Sequence, residues 1–107
     1  MPPSWQRILD TQDRNDSIKL ARGCTDCGWR GWARGLDWDH VRGRKVTTIA
    51  NMIGRGHPWS AIESEMTKCE VVCANCHRVR TIVRNALRAS RSLDPAVPRD
   101  VRRADER

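Results

Sequence analysis

The sequence predicts a small α+β domain with an N-terminal helix and a basic C-terminal tail, held together by more than its apolar core. Three observations predict it. The chain has 107 residues, which fits one domain at roughly 100 to 200 residues each and excludes a two-domain enzyme. Hydrophobic residues make up 38% and charged residues 31%, so apolar burial alone scarcely offsets the ordering entropy of so short a chain. Four of the five cysteines fall into two CxxC pairs, CTDC at Cys24 and Cys27 and CANC at Cys73 and Cys76. Two residues between thiolates let one turn aim both sulfurs at one ion, and two such pairs complete a tetrahedral zinc site. A reducing cytosol and an odd cysteine count weigh against disulfides, the competing reading. Structural zinc also supplies the staple, because its apparent binding energy, on the order of 10 to 16 kcal/mol in small peptides, becomes folding energy.

The elements follow in order. A first helix is predicted over residues 4–22, with Trp5, Ile8, Leu9, Ile18 and Leu20 as its apolar positions; Asn15 and Asp16 are candidate breakers. After the first CxxC comes GWRGWARGLDWDHV, whose second half reads as a strand with apolar Leu36 and Trp38. TTIANMI reads as a helix, GRGHP as a break, and a second helix begins near Trp59, with Ser60 and Glu63 as a capping box. Residues 68–72 read as a second strand. Residues 74–90 continue as a helix with Val79, Ile82, Val83 and Leu87 on one side. Residues 91–107 are rich in Pro and charge and predict a disordered basic tail. The organisation is thus a helical segment 1–22, a metal-stapled domain 23–90 and the tail. Trp29, Trp32, Trp38 and Trp59 are expected mostly in the core, since the chain has no Phe or Tyr. Cys69, left over in CEVVC, reads as a buried structural thiol, and His57 as an exposed loop residue.

Lys plus Arg total 20 against 13 Asp plus Glu, for a net charge of +7, and 17 of the cations are Arg. Arg suits bidentate phosphate recognition, so a polyanion is the expected partner. Arg78, Arg80 and Arg84 recur at helical spacing and could contact phosphate or simply form a solvated face. No apolar run approaches the roughly 18 residues of a membrane span, and MPPSWQRILD is polar where a signal peptide needs an apolar stretch. A soluble cytoplasmic protein without a membrane partner is the expectation.

Three segments, CTDCG, LDWDHVRGRK and KCEVVCANCHRVRT, together resemble the HNH endonucleases of the ββα-metal class. The likeness spans about residues 24–81, and its specificity lies in the order: a CxxC, then DH, then CxxCH. The resemblance implies a ββα-metal domain that hydrolyses DNA, with His40 as general base and Asp39 and His77 holding a catalytic divalent ion, Mg²⁺, Mn²⁺ or Ni²⁺. Cys24, Cys27, Cys73 and Cys76 would hold the structural zinc. It also implies a phage or bacterial setting, as small stand-alone HNH proteins of this look are common there.

Elementary chemistry agrees with these roles. Asp39 offers a hard oxygen and His77 an imidazole, a pair suited to an ion that keeps waters and an open position for a phosphate oxygen. An imidazole at His40 can take a proton at neutral pH. Neighbours on a strand point to opposite faces, but at a strand end both can reach one cleft. One position departs from the family pattern: many relatives place an Asn five residues before the first cysteine of the second knuckle, tying down the loop that carries the catalytic His. Here Lys68 stands there, able to contact phosphate or a carbonyl, and Asn51 and Asn75 are the available substitutes. Alternatives remain: His40 as a packed histidine, His77 as a zinc ligand, and the whole as a non-catalytic zinc-knuckle DNA-binding module or an accessory of a larger nuclease or phage packaging machine.

Overall fold

The computed structural model describes residues 4–93. It has α1 (Ser4–Arg22), a 3-10 turn (Ala33–Gly35), β1 (Leu36–His40), α2 (Ile49–Gly54), α3 (Trp59–Met66), β2 (Cys69–Cys73) and α4 (Ala74–Leu93). This is the α+β class the sequence predicts. β1 and β2 form a two-stranded antiparallel sheet in which Leu36 opposes Cys73, Trp38 opposes Val71 and His40 opposes Cys69. The chain divides into two compact units after Cys76. Among the described residues no helix is long and apolar enough to cross a membrane. α4 runs to Leu93, so residues 91–93 of the expected tail are helical, and the rest of the tail lies outside the described residues.

α1 spans the expected residues 4–22 and runs unbroken through the candidate breakers Asn15 and Asp16. Ile8 and Ile18 pack on the core, and Asn15, seven residues after one and three before the other, falls on the same face. Buried there, its Oδ1 accepts the indole N–H of Trp38 at 2.7 Å. A polar side chain on an inward helix face is thus satisfied by a strand tryptophan, which removes the cost of burying it. Thr48 caps α2, its hydroxyl accepting the Asn51 N–H at 3.1 Å. The capping box expected at Ser60 does not form. α3 begins at Trp59 as expected, with Pro58 rather than Ser60 at its N-cap, and the fixed proline φ of −63° suits a helix entry. Glu63 instead accepts the Trp59 indole N–H at 3.2 Å.

Two apolar clusters make the core of the first unit. Ile49, Met52, Ile53, Ile62, Met66 and Cys69 form one, and Cys24, Leu36, Val71, Val72 and Cys73 the other, with Trp38 packed against both. Each fully buried aliphatic side chain contributes about 1.5–3 kcal/mol, so a core of this size leaves room for a metal staple to matter. Trp38 and Trp59 are half-buried as expected of core residues, whereas Trp29 and Trp32 are exposed. The Trp29 ring lies so close to Gly31 and Gly35 that a Cβ at either would come within 2.8 and 2.6 Å of it, an approach that favours glycine at both positions. In the second unit, Val79, Ile82, Val83 and Leu87 are exposed along α4.

Candidate metal centre and the His40 site

Each CxxC knuckle turns so that a backbone N–H meets the sulfur three residues earlier: Cys27 N donates to Cys24 Sγ at 3.5 Å and Cys76 N to Cys73 Sγ at 3.4 Å. Gly28, at φ +80°, closes the first turn by donating to the Cys24 carbonyl at 2.8 Å, and the Thr25 N–H bonds the Val71 carbonyl at 2.8 Å, fastening that knuckle to β2. The second knuckle straddles the junction where β2 passes into α4 without a loop. The ligand atoms of Cys24, Cys27, Cys73 and Cys76 consequently lie within 4.8 Å of one another. Cys27 Sγ and Cys73 Sγ stand 3.8 Å apart, the edge of a tetrahedron built on metal–sulfur bonds of about 2.3 Å. This donor set could hold a metal ion such as zinc. Among the described residues it is the one group of three or more candidate ligands so placed.

Electrostatics favour a dication at this point. Burial disfavours the Cys24 thiolate, but the backbone N–H groups of Cys73, Cys27 and Asp26 outweigh it and bring that thiol down to about 6. The sulfur of Cys73 beside it, with some burial, pushes the Cys76 thiol up to about 12. Sulfurs this close cannot all carry charge until a cation neutralises them. Cys69 belongs to a different setting: buried, with its Sγ donating to the Glu65 carbonyl at 3.5 Å, it is pushed up to about 11 by burial and then by the charges of Glu65 and Asp39. Such a thiol is inert.

At the other end of the sheet β1 stops at His40. Strand alternation gives His40 the face of Trp38 and Cys69, and gives Asp39, buried opposite Glu70, the other face. The His40 ring lies 2.9 Å, Nε2 to Oε2, from the carboxylate of Glu65, which is 3% exposed. The same carboxylate accepts the Val46 N–H at 3.1 Å and the Lys68 ammonium at 2.8 Å. Burial raises the Glu65 carboxyl, yet the bonds from Lys68, Val46 and His40 prevail and hold it below its ordinary range. Lys68 also donates to the Arg44 carbonyl at 2.7 Å. Its ammonium thus ties the loop that follows His40 to the α3–β2 turn, the job that the resemblance gives to an Asn at this place. Val41 and Arg42 N–H groups bond the Lys68 carbonyl at 2.8 and 3.2 Å and extend the same fastening.

The remaining predicted residues are placed as follows. His77 follows the last cysteine in the first turn of α4, and Arg78, Arg80 and Arg84 follow on that helix; Asp39 and His40 belong to the first unit and these four to the second. Asn51 is occupied at the start of α2, donating to Thr47 Oγ1 at 2.9 Å, and Asn75 lies exposed inside the second knuckle. Neither takes the loop-tying role. His57 is half-buried between α2 and α3. Glu65 is the residue that sequence reasoning missed. Its signal was present: with Ile62 and Met66 it occupies the i, i+3, i+4 stripe that α3 buries, where a charge calls for partners. Set against known protein families, curated proteins and solved structures, the chain matches none of them.

Proposed function

We propose that this chain is a metal-dependent endonuclease that hydrolyses DNA phosphodiester bonds in the manner of the HNH proteins it resembles. The observation that carries the reading is the order of elements around the candidate residues. β1 ends on Asp39 and His40, pairs antiparallel with β2, and β2 runs directly into the helix that bears His77 in its first turn. In this reading His40 takes a proton from the attacking water as its oxygen adds to phosphorus and the P–O3′ bond breaks. The 3′ oxygen leaves and is protonated from solvent. By the resemblance, Asp39 with an oxygen donor and His77 with an imidazole would hold a divalent ion such as Mg²⁺, Mn²⁺ or Ni²⁺, which would supply Lewis-acid stabilisation of the developing charge. Arg78, Arg80 and Arg84 offer cations to the DNA backbone without reading its sequence. Zinc on the four cysteines serves the fold rather than the reaction.

A second reading, a zinc-knuckle DNA-binding module without catalysis, is favoured by one observation: alternation along β1 sends Asp39 and His40 to opposite faces of the sheet. As such a module the protein could serve a larger nuclease or packaging machine. Incubation of zinc-loaded protein with supercoiled plasmid and each divalent ion in turn separates the two. The enzyme converts the plasmid to nicked or linear form, His40→Ala abolishes this while retaining zinc and DNA affinity, and part of the activity of His77→Ala returns at high Mn²⁺. Absence of scission by wild type under every ion, with salt-dependent DNA binding equal to that of His40→Ala, leaves the binding module in its place.

A further inference from the structure

We infer that Glu65 is the positioning residue of His40, holding its ring with Nε2–H turned to the carboxylate so that Nδ1 is the nitrogen that takes the proton. The inference rests on the hydrolytic reading of His40 given above and adds a residue and a tautomer to it. Its basis is a donor and acceptor count. Glu65 Oε1 receives the Lys68 ammonium at 2.8 Å, and Oε2 receives the Val46 backbone N–H at 3.1 Å; the second donor has no way to act as an acceptor. A carboxylate filled from both sides by such donors is ionised and accepts only. The ring nitrogen 2.9 Å from Oε2 must then carry the hydrogen. A neutral imidazole has one N–H, so the lone pair of His40 sits on Nδ1.

The arrangement is built rather than incidental. Glu65 is on the buried face of α3, and its partner Lys68 is fixed in turn by the Arg44 carbonyl at 2.7 Å. His40 itself is only 13% exposed along its side chain, so the ring has little freedom to turn away from Glu65. When Nδ1 takes a proton, the positive ring stands against a carboxylate already in place, and no side chain has to reorganise to stabilise it. The logic is that of a base oriented by a third group. Glu65 touches neither substrate nor ion in this account and acts only through His40.

The test uses the zinc-loaded full chain, with ring nitrogens and protons of His40 followed by long-range ¹⁵N–¹H NMR beside plasmid cleavage. Wild type is expected to show the Nε2–H tautomer, with an Hε2 proton resonance slowed in exchange with water. Glu65→Met keeps the volume and removes the acceptor, so that resonance should vanish and kcat fall about 100-fold, the scale of a misplaced group, at unchanged KM for DNA. Glu65→Gln, which keeps shape and an acceptor oxygen, should retain the resonance and recover part of the loss. A ring found as Nδ1–H in wild type, or a Glu65→Met protein that folds and cleaves at the wild-type rate while His40→Ala is inactive, overturns the inference. Wild type without scission brings down the hydrolytic reading instead, and the ring proton then decides alone whether Glu65 fixes the imidazole.

Discussion

Lys68 and Arg44 meet through a 2.7 Å hydrogen bond from the ammonium to the main-chain carbonyl, and this bond closes the loop between β1 and α2 onto the start of β2. The same ammonium neutralises buried Glu65. Lys68→Met should therefore lower unfolding free energy by about 1–3 kcal/mol, the cost of leaving a buried acceptor short of its donor, with zinc content unchanged. Urea denaturation at neutral pH measures it; a midpoint equal to wild type means that the loop needs no such tie.

The depressed Glu65 carboxyl makes stability depend on acidity. Because its folded pKa lies below the unfolded value, its contribution is fully present above the unfolded value, about 4.3 for Glu, and is lost as pH falls through the folded one. Wild type should exceed Glu65→Gln in stability at pH 7, and the gap should close as the solution is acidified below pH ~4. Comparing the two proteins cancels any metal release common to both. A gap that stays constant on acidification contradicts the assignment.

Metal binding should itself be steeply pH-dependent. Cys24, at about 6, is already a thiolate at neutral pH, whereas Cys76, at about 12, still carries its proton. An entering ion must displace it, so affinity rises with pH and protons are released on binding. Calorimetric titration with zinc in two buffers of different ionisation enthalpy counts them. Cys24→Ser or Cys73→Ser should unfold the domain, as should stripping the metal with a chelator, to which exposed Cys27 gives access. Cys69→Ser should cost only about 1 kcal/mol, an ordinary core change. A wild type that stays folded after complete metal removal would show the staple to be dispensable.

Asn15 offers a fourth test. Its Oδ1 is the acceptor for the half-buried indole N–H of Trp38, so Asn15→Ala should cost about 1 kcal/mol through the unpaired donor and alter Trp38 fluorescence. Asn15→Asp, which keeps an acceptor, should cost less. No loss in Asn15→Ala would mean that α1 is held by its apolar contacts, Ile8 and Ile18 among them.

How far the sequence led depended on whether a signal was local. The clustering of the four cysteines was legible because CxxC spacing confines two sulfurs to one turn, and the two strands because LDWDH and CEVVC carry apolar and β-branched residues in short runs. Asn15 reads as a candidate breaker and Glu65 is passed over for one shared reason. Each is a polar residue on a helix face that packing turns inward, and its partner, Trp38 for Asn15 and His40 for Glu65, comes from a strand distant in sequence. Propensity reads such a residue as a helix breaker or a solvated charge; only the tertiary fold supplies the acceptor or donor that makes it an asset. The exposed Trp29 misled in the opposite sense, since an aromatic in a chain without Phe or Tyr looks like core until Gly31 and Gly35 are seen to form its seat.

The two knuckles lie at opposite ends of the segment that contains both strands, and α2 and α3 intervene between β1 and β2. Strand pairing is therefore a long-range event in the unfolded chain, slow because loop closure must come before any contact rewards it. An ion that captures Cys24 and Cys27 first and Cys73 and Cys76 second draws Leu36 toward Cys73, the first pair of the register. It turns a search over the whole chain into the zipping of five adjacent pairs. A metal ion bound by the four cysteines would then act as a catalyst of folding as well as a clamp on the folded state, and its supply would set how fast newly made chains become protein.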